Sequence, residues 1–144
     1  MLFGRLAEAL RSGIPASQPA NPPAGAPANK QPTAKSTIAS DLDDLDDLLA
    51  LCRAANWNQT EADWRRVLKL EPELCLGIRA SGHIVAAAAA VTYPALEGFP
   101  PLAWIGMVLT HPDHRGHGFA RRLMTLLTTT LDRRGFAVQK LDAT

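Results

Sequence analysis

The stretch Leu109-Thr110-His111-Pro112-Asp113-His114-Arg115-Gly116-His117-Gly118-Phe119-Ala120 joins an apolar segment to a segment with helical periodicity through a polar loop with two glycines. The first N–H groups of a helix have no partner inside the helix and carry partial positive charge. Glycines in the loop before the helix remove Cβ atoms, so that an anion can approach the backbone. The stretch therefore predicts a phosphate-binding loop between a buried strand and a helix.

Two common kinds of phosphate loop do not fit these residues. A P-loop ends in Gly-Lys-Ser/Thr after four spacer residues, and no such ending is present. A dinucleotide fingerprint needs three glycines in a parallel βαβ unit, whereas here two glycines follow strands that are predicted to form a hairpin. The pattern that does match is R-x-x-G-x-A, which begins at Arg115 and ends at Ala120.

The segments on either side of the loop predict an α+β domain with the order β-α-α-β-β-β-α-β. The apolar strand before the loop is expected to be central and buried on both faces, with Trp104 in the core. The helix after the loop is expected to end at Gly135. The predicted elements are strands at 37–39, 74–79, 84–93, 102–110 and 136–141, and helices from 41, from 60 and over 119–134.

The first 36 residues have a different composition from the rest of the chain. Residues 1–11 could form a short amphipathic helix, because leucines recur four apart. Residues 12–36 contain six prolines mixed with small and polar residues, which predicts a flexible linker. The folded domain is therefore expected to span 37–144.

Composition limits the classes of function. The chain has 144 residues and a net charge of +1, so electrostatics give no reason to expect a nucleic-acid partner. No apolar run approaches the roughly 20 residues that a membrane-spanning helix needs. Cys52 and Cys75 lie in apolar stretches without a C-x-x-C spacing, which favours reduced thiols and a cytoplasmic location.

The loop resembles the coenzyme A pyrophosphate motif of the GCN5-related N-acetyltransferases (GNAT). Val108 and Pro112 extend the match to Val-x-x-x-Pro-x-x-Arg-Gly, and the helix continues as Arg121-Arg122-Leu123-Met124. Residues 56–64 and 140–144 are similar to a bacterial branch of that family. The resemblance implies a central mixed β-sheet flanked by helices, with acetyl-CoA as the co-substrate.

The resemblance also implies roles for residues of the loop and of the strand before it. The strand end pairs with the pantetheine arm, and the backbone amide of Leu109 polarises the thioester carbonyl. The side chain of Arg115 either adds charge or braces the loop. The implied cofactor-binding residues are Val108, Leu109, Thr110, Arg115, Gly116, His117, Gly118, Phe119, Ala120 and Arg121.

The reaction implied by the resemblance is direct attack of a primary amine on the acetyl thioester, without an acyl-enzyme. Glu97 is a candidate base acting through water, and Tyr93 is a candidate for proton transfer. Their alternatives are a solvated loop glutamate and a half-buried strand aromatic. The loop over 57–59 is expected either to shape the acceptor site or to cap helices and fill the core.

No metal is expected. His111, His114 and His117 are spaced three apart, and a zinc site is the alternative interpretation. A phosphate-binding loop would splay these side chains, and Asp113 is the only nearby acid. Exposed loop histidines are therefore the favoured interpretation.

The family usually continues past the fifth strand with a helix and two more strands, which often supply a tyrosine as general acid. This sequence stops at Thr144, so we expect a fragment of a longer coding sequence. An acetyl-CoA-binding module without turnover is the alternative to an active N-acetyltransferase. The acceptor is expected to be a small-molecule or peptide amine. The oligomeric state is left open, with a dimer as one alternative.

Overall fold

The computed structural model describes residues 35–39, by their backbone alone, and residues 41–142. These residues belong to one compact unit, 31–144. The described order is β-α-α-β-β-β-α-β, which confirms the predicted fold class. The elements are β1 (Lys35–Ala39), α1 (Leu45–Ala55), α2 (Glu61–Leu70), β2 (Cys75–Ala80), β3 (His83–Tyr93), β4 (Leu102–Thr110), α3 (Phe119–Arg133) and β5 (Val138–Leu141).

The five strands form one sheet in chain order. β1 to β4 are antiparallel neighbours, and β5 lies parallel to β4. A parallel pair needs a crossover connection, and α3 provides it. Because β1 begins at Lys35, the first strand starts two residues before the predicted domain boundary. The predictions of a short helix and a flexible linker over residues 1–34 concern residues outside those that the structure describes.

Helices cover both faces of the sheet. Leu48 and Leu51 of α1 and Trp64 of α2 pack on one face, whereas Leu123 and Leu127 of α3 pack on the other. The run of five alanines at 86–90 in β3 lies between these two layers and is buried throughout. Small side chains at these positions let helices approach the sheet closely from both sides, and pairing with β2 and β4 holds this segment in a strand despite the high helix propensity of alanine.

The expectation that 102–110 is the strand buried on both faces, with Trp104 in the core, is wrong. The strand that is buried on both faces is β3, because its residues from Ile84 to Ala90 are all buried. In β4 the side chains of Ala103 and Ile105 face the α3 layer, whereas Trp104 on the other face is 42% exposed. That part of the face is not filled by α1 and α2, and a cleft lies there.

The connection between α1 and α2 is fixed at both ends. Asn56 ends α1 in the left-handed conformation with φ of +59°. The predicted capping box starts α2: the Thr60 N–H donates to Asp63 Oδ2 at 2.9 Å, and the Asp63 N–H donates to Thr60 Oγ1 at 3.4 Å. The loop over 57–59 is therefore held above the face of β4. None of the helices described here is long and apolar enough to cross a membrane.

Candidate active site

β4 contains a bulge at Met107. Ala87 of β3 lies opposite Leu109, but Ala89, two residues further, lies opposite Gly106, so β4 holds one extra residue between these pairs. Met107 has φ of +53°, a left-handed conformation that is uncommon for residues other than glycine. The bulge changes which backbone groups of β4 face each neighbouring strand.

Before the bulge, Ile105 directs its backbone at β5, because its carbonyl accepts the Asp142 N–H at 3.0 Å. After the bulge, the His111 N–H donates to the Val85 carbonyl of β3 at 2.8 Å. Backbone groups two residues apart in a strand point to the same side. Leu109 therefore directs its N–H at β3, whereas Val108 and Thr110 direct theirs away from it.

The Leu109 amide, which is predicted to polarise the thioester carbonyl, does not lie on the open side of β4. That amide faces Ala87 in the sheet, and the Leu109 side chain is buried beneath α1 and α2. The backbone groups on the other side of β4 belong to Val108 and Thr110. A contact of Arg115 supports this orientation, since its Nε donates to the Thr110 carbonyl at 3.4 Å.

The loop after β4 forms an open hollow at the start of α3. Gly116 and Gly118 have φ of +81° and +75°, which favours glycine at both positions. A Cβ built on either residue would meet no atom within 4 Å, so the space beside these glycines is empty of protein. The hollow has a volume of about 520 Å³ and is lined by Thr110, His114, Arg115, Gly116, Gly118, Phe119, Ala120 and Arg121.

The N-terminus of α3 points its amides at this hollow. Gly118 is the N-cap and has no side chain that could cap the helix. The first intrahelical bond runs from the Arg122 N–H to the Gly118 carbonyl at 3.0 Å, so the amides over 119–121 precede the helical ladder. Together with the glycine backbone they form a site for a polyanion such as a pyrophosphate.

The loop histidines make local contacts. His111 Nδ1 accepts the Asp113 N–H at 3.3 Å. His117 Nδ1 lies 3.1 Å from the carbonyl oxygens of His114 and Arg115, and since a carbonyl only accepts, this nitrogen carries the proton. Over residues 41–142, no group of three or more His, Cys, Asp or Glu side chains is placed to hold a metal ion.

A second hollow lies on the face of β4 beneath the α1–α2 loop, and we call it the acceptor cleft after the role proposed for it below. It has a volume of about 210 Å³, and Gly106 and Met107 of the bulge lie at its base. Tyr93 at the end of β3 lines this cleft. Glu97 lies in the exposed β3–β4 loop and is not part of the lining. The other polar and aromatic lining residues are Trp57, Gln59, Trp104 and Asp142.

Sequence reasoning assigned no site role to Gly106, Trp104 or Asp142. One indication was available, because a glycine inside an apolar strand often marks a bulge or a close backbone approach. Asp142 reaches the cleft because β5 runs parallel to β4 from the pair Leu102–Val138 to the pair Ile105–Leu141. The register of this pair depends on the lengths of α3 and of the turn between α3 and β5. No local sequence pattern indicates that register.

The two thiols line neither hollow and are poorly suited to nucleophilic chemistry. Burial raises the pKa of Cys75 to about 12, and the charge of Glu71 acts in the same direction. Burial also raises the pKa of Cys52, whose Sγ accepts the Trp64 Nε1–H at 3.2 Å. Thiolate is the reactive form of cysteine, so these positions are those of structural thiols.

Comparison with known proteins agrees with this geometry. The sequence profile of the acetyltransferase (GNAT) family matches residues 42–143, and the chain belongs to that family. No curated protein sequence matches it. Members of this family act on amine acceptors.

Solved structures share the fold at low sequence identity. A ribosomal-protein-alanine N-acetyltransferase from Brucella melitensis biovar Abortus 2308 is 20% identical, with a TM-score of 0.60 over 75% of this chain and 79% of that one. An acetyltransferase from Trypanosoma brucei is 18% identical, with a TM-score of 0.59 over 75% and 82%. A chain of the NatC complex bound to Gag peptide and CoA is 18% identical, with a TM-score of 0.61 over 74% of each chain.

Proposed function

We propose that this chain transfers an acetyl group from acetyl-CoA to a primary amine by direct attack within a ternary complex. The observation that carries the proposal is the bulge at Met107, which turns the backbone of Val108 and Thr110 away from β3. The same strand leads directly into the glycine loop. One continuous segment can therefore hold both the pyrophosphate and the thioester arm of the co-substrate.

The backbone supplies most of the proposed contacts. Amides over 116–121 hold the pyrophosphate, and the exposed Arg115 guanidinium adds positive charge. The backbone of Val108 and Thr110 pairs with the pantetheine arm. The Val108 N–H polarises the thioester carbonyl, in place of the Leu109 N–H that faces β3.

The chemistry needs no covalent intermediate with the protein. The amine nitrogen attacks the carbonyl carbon, a C–N bond forms, the C–S bond breaks and CoA leaves as a thiolate that takes up a proton. The N–H of Val108 stabilises the negative charge that develops on the carbonyl oxygen. Positioning the two reactants side by side on β4 supplies much of the rate.

Proton transfer is assigned to groups of the acceptor cleft. Tyr93 lines the cleft and keeps its proposed role. Glu97 is exposed in the β3–β4 loop and could act only through water from outside the lining, so it loses support as the base. The cytoplasmic location stays a prediction, and the oligomeric state stays open, with a dimer as one alternative.

The test is calorimetric titration of the full chain with acetyl-CoA, followed by an assay of thiol release with a panel of amines. Gly118→Trp should weaken acetyl-CoA binding by about 100-fold or more, because the side chain enters the hollow and φ of +75° strains any side chain there. The matched control is Gly135→Trp. Gly135 lies at the other end of α3 with φ of +84° and has equal open space around it. The affinity of this variant for acetyl-CoA should therefore match that of the wild type.

Failure of the folded wild-type chain to bind acetyl-CoA would overturn the proposal. Binding that depends on Gly118, without turnover of any amine, would instead support the acetyl-CoA-binding module that lacks activity.

A further inference from the structure

The acceptor cleft is unusually aromatic for a small hollow. Trp104 and Tyr93 are 42% and 50% exposed, and Trp57 from the α1–α2 loop lies half-buried across from them. Large rings that line a concave surface and remain in contact with water are typical of a ligand site rather than of a core. The cleft therefore offers flat apolar surface to whatever enters it.

The residues that line the cleft carry charge of one sign. Among the described residues that line it, Asp142 is the only one with a charged side chain at neutral pH. Lys140 lies outside the lining with its Nζ 5.9 Å from the centroid of the Trp104 ring, so a cation of the protein already lies over this ring, and the charge of the lining itself comes from Asp142. Arg66 in the adjoining hollow is paired with Asp63 at 3.6 Å. A cationic ligand is favoured in the cleft, and a carboxylate is disfavoured.

The side-chain oxygen of Gln59 is a hydrogen-bond acceptor that no donor in the described part of the chain satisfies. This atom, Oε1, is buried and has no hydrogen-bond partner among the described residues. A buried polar atom left without a partner costs stability, and such atoms are rare in native structures. Gln59 lines both the cleft and the adjoining hollow, so a rotation of its side chain toward the cleft would present this oxygen to an amine N–H of a ligand.

Gly106 leaves room beside the proposed reaction centre. A Cβ built on it would meet no atom within 4 Å, and its φ is not in the left-handed region. The space is therefore open although a side chain would be compatible with the backbone. Gly106 is two residues before Val108, so a ligand in this space lies next to the proposed thioester.

On the basis of the proposed function, we propose that the acceptor is a primary amine carried on a flat apolar group, with no carboxylate beside the nitrogen. The ring lies against Trp57, Trp104 and Tyr93. The Asp142 carboxylate attracts the ammonium form, and Gln59 Oε1 accepts an N–H and orients the nitrogen toward the thioester.

The first experiment measures binding alone. The full chain, saturated with CoA, is titrated by calorimetry with phenethylamine, phenylalanine, spermidine and trialanine amide. Phenethylamine should bind at least about tenfold more tightly than each of the others, because phenylalanine adds a carboxylate near Asp142, and spermidine and trialanine amide lack a ring. Equal or tighter binding of any of these three overturns the inference.

Two variants test the residues. Gln59→Leu should weaken phenethylamine binding by about tenfold while the unfolding midpoint stays unchanged or rises, since the change removes an unpaired buried oxygen. Gly106→Val should abolish phenethylamine binding by filling the open space. The matched control is Asn58→Leu, because Asn58 lines only the adjoining hollow, and its amine binding should equal that of the wild type.

The acetyl-CoA titration is repeated on each variant, which separates this inference from the proposed function. If acetyl-CoA does not bind the wild type, the proposed function fails and this inference fails with it. If acetyl-CoA binds, but Gln59→Leu and Gly106→Val bind phenethylamine as the wild type does, only the assignment of the acceptor is overturned.

Discussion

The two hollows on β4 are built in different ways. The hollow at the start of α3, which we call the cofactor hollow after its proposed role, comes from one continuous segment that runs from Thr110 to Arg121. The acceptor cleft takes residues from the α1–α2 loop, α2, β3, β4 and the end of β5. The first therefore depends mainly on local structure, whereas the second exists only when the sheet has assembled in the correct register.

The two hollows also differ in the groups that they present. The cofactor hollow presents backbone amides, a helix N-terminus and two glycines. The acceptor cleft presents side chains, chiefly aromatic rings, one carboxylate and one amide. Changes to the backbone should therefore affect the co-substrate, and changes to side chains should affect the choice of amine.

The largest expected effect comes from removing a single backbone N–H. Replacing Val108 by its α-hydroxy acid turns the amide into an ester and should lower the rate of acetyl transfer by about 100-fold, because the donor to the developing oxyanion is lost. The unfolding free energy should change little, since this N–H faces away from β3. Single-turnover kinetics and chemical denaturation measure the two quantities.

The matched control is the same replacement at Leu109. Its N–H is directed at Ala87 of β3, so the ester should lower the unfolding free energy by about 1 kcal/mol without a direct effect on the rate. The opposite result, with Leu109 controlling the rate and Val108 the stability, would show that the bulge does not set the orientation described above.

A smaller effect, on the affinity for acetyl-CoA, should show whether Arg115 adds positive charge or braces the loop. Its side chain is exposed and its contact with the Thr110 carbonyl is long, at 3.4 Å, which favours the role of charge. Arg115→Met should weaken acetyl-CoA binding by about tenfold, and Arg115→Lys should retain most of the affinity. Calorimetry at two salt concentrations checks this. Equal losses in both variants would assign the bracing role to Arg115 instead.

The segment from Thr110 to Arg121, which forms the cofactor hollow, is the part of the site that sequence alone could predict. The α+β order, the glycine loop and the start of α3 at Phe119 agree with the sequence predictions. These features depend on neighbours within a few residues, such as glycine at positive φ, apolar periodicity and a helix start. Local patterns of this kind are visible in a single sequence.

The register of the sheet could not be predicted in the same way. An inserted residue at Met107 reverses which amides face β3, and for this reason the proposed donor is the Val108 N–H rather than the Leu109 N–H. Met107 is not a glycine, so its residue type does not indicate its left-handed conformation. Trp104 was assigned to the core because its strand is apolar, but the apolar residues of that face line a cleft.

The smallest expected effect concerns Asp47, which serves the fold and lines neither hollow. Its carboxylate accepts the Ile84 N–H and contacts His83 Nδ1, both at 3.0 Å, and Arg79 lies at 3.4 Å. Burial alone would raise the pKa of Asp47, but the hydrogen bonds from His83 and Ile84 and the nearby charges outweigh it and lower the pKa below its ordinary value of 3.8.

A carboxyl whose pKa is lower in the folded state stabilises that state fully above the unfolded value, and the contribution is lost as the pH falls through the folded pKa. Asp47→Asn should therefore cost about 1 kcal/mol of unfolding free energy at pH 7, and the difference from the wild type should shrink below about pH 4. Denaturation at a series of pH values measures this. Acetyl-CoA and amine affinities at pH 7 should not change, and a loss of either would mean that the start of β3 is coupled to the site.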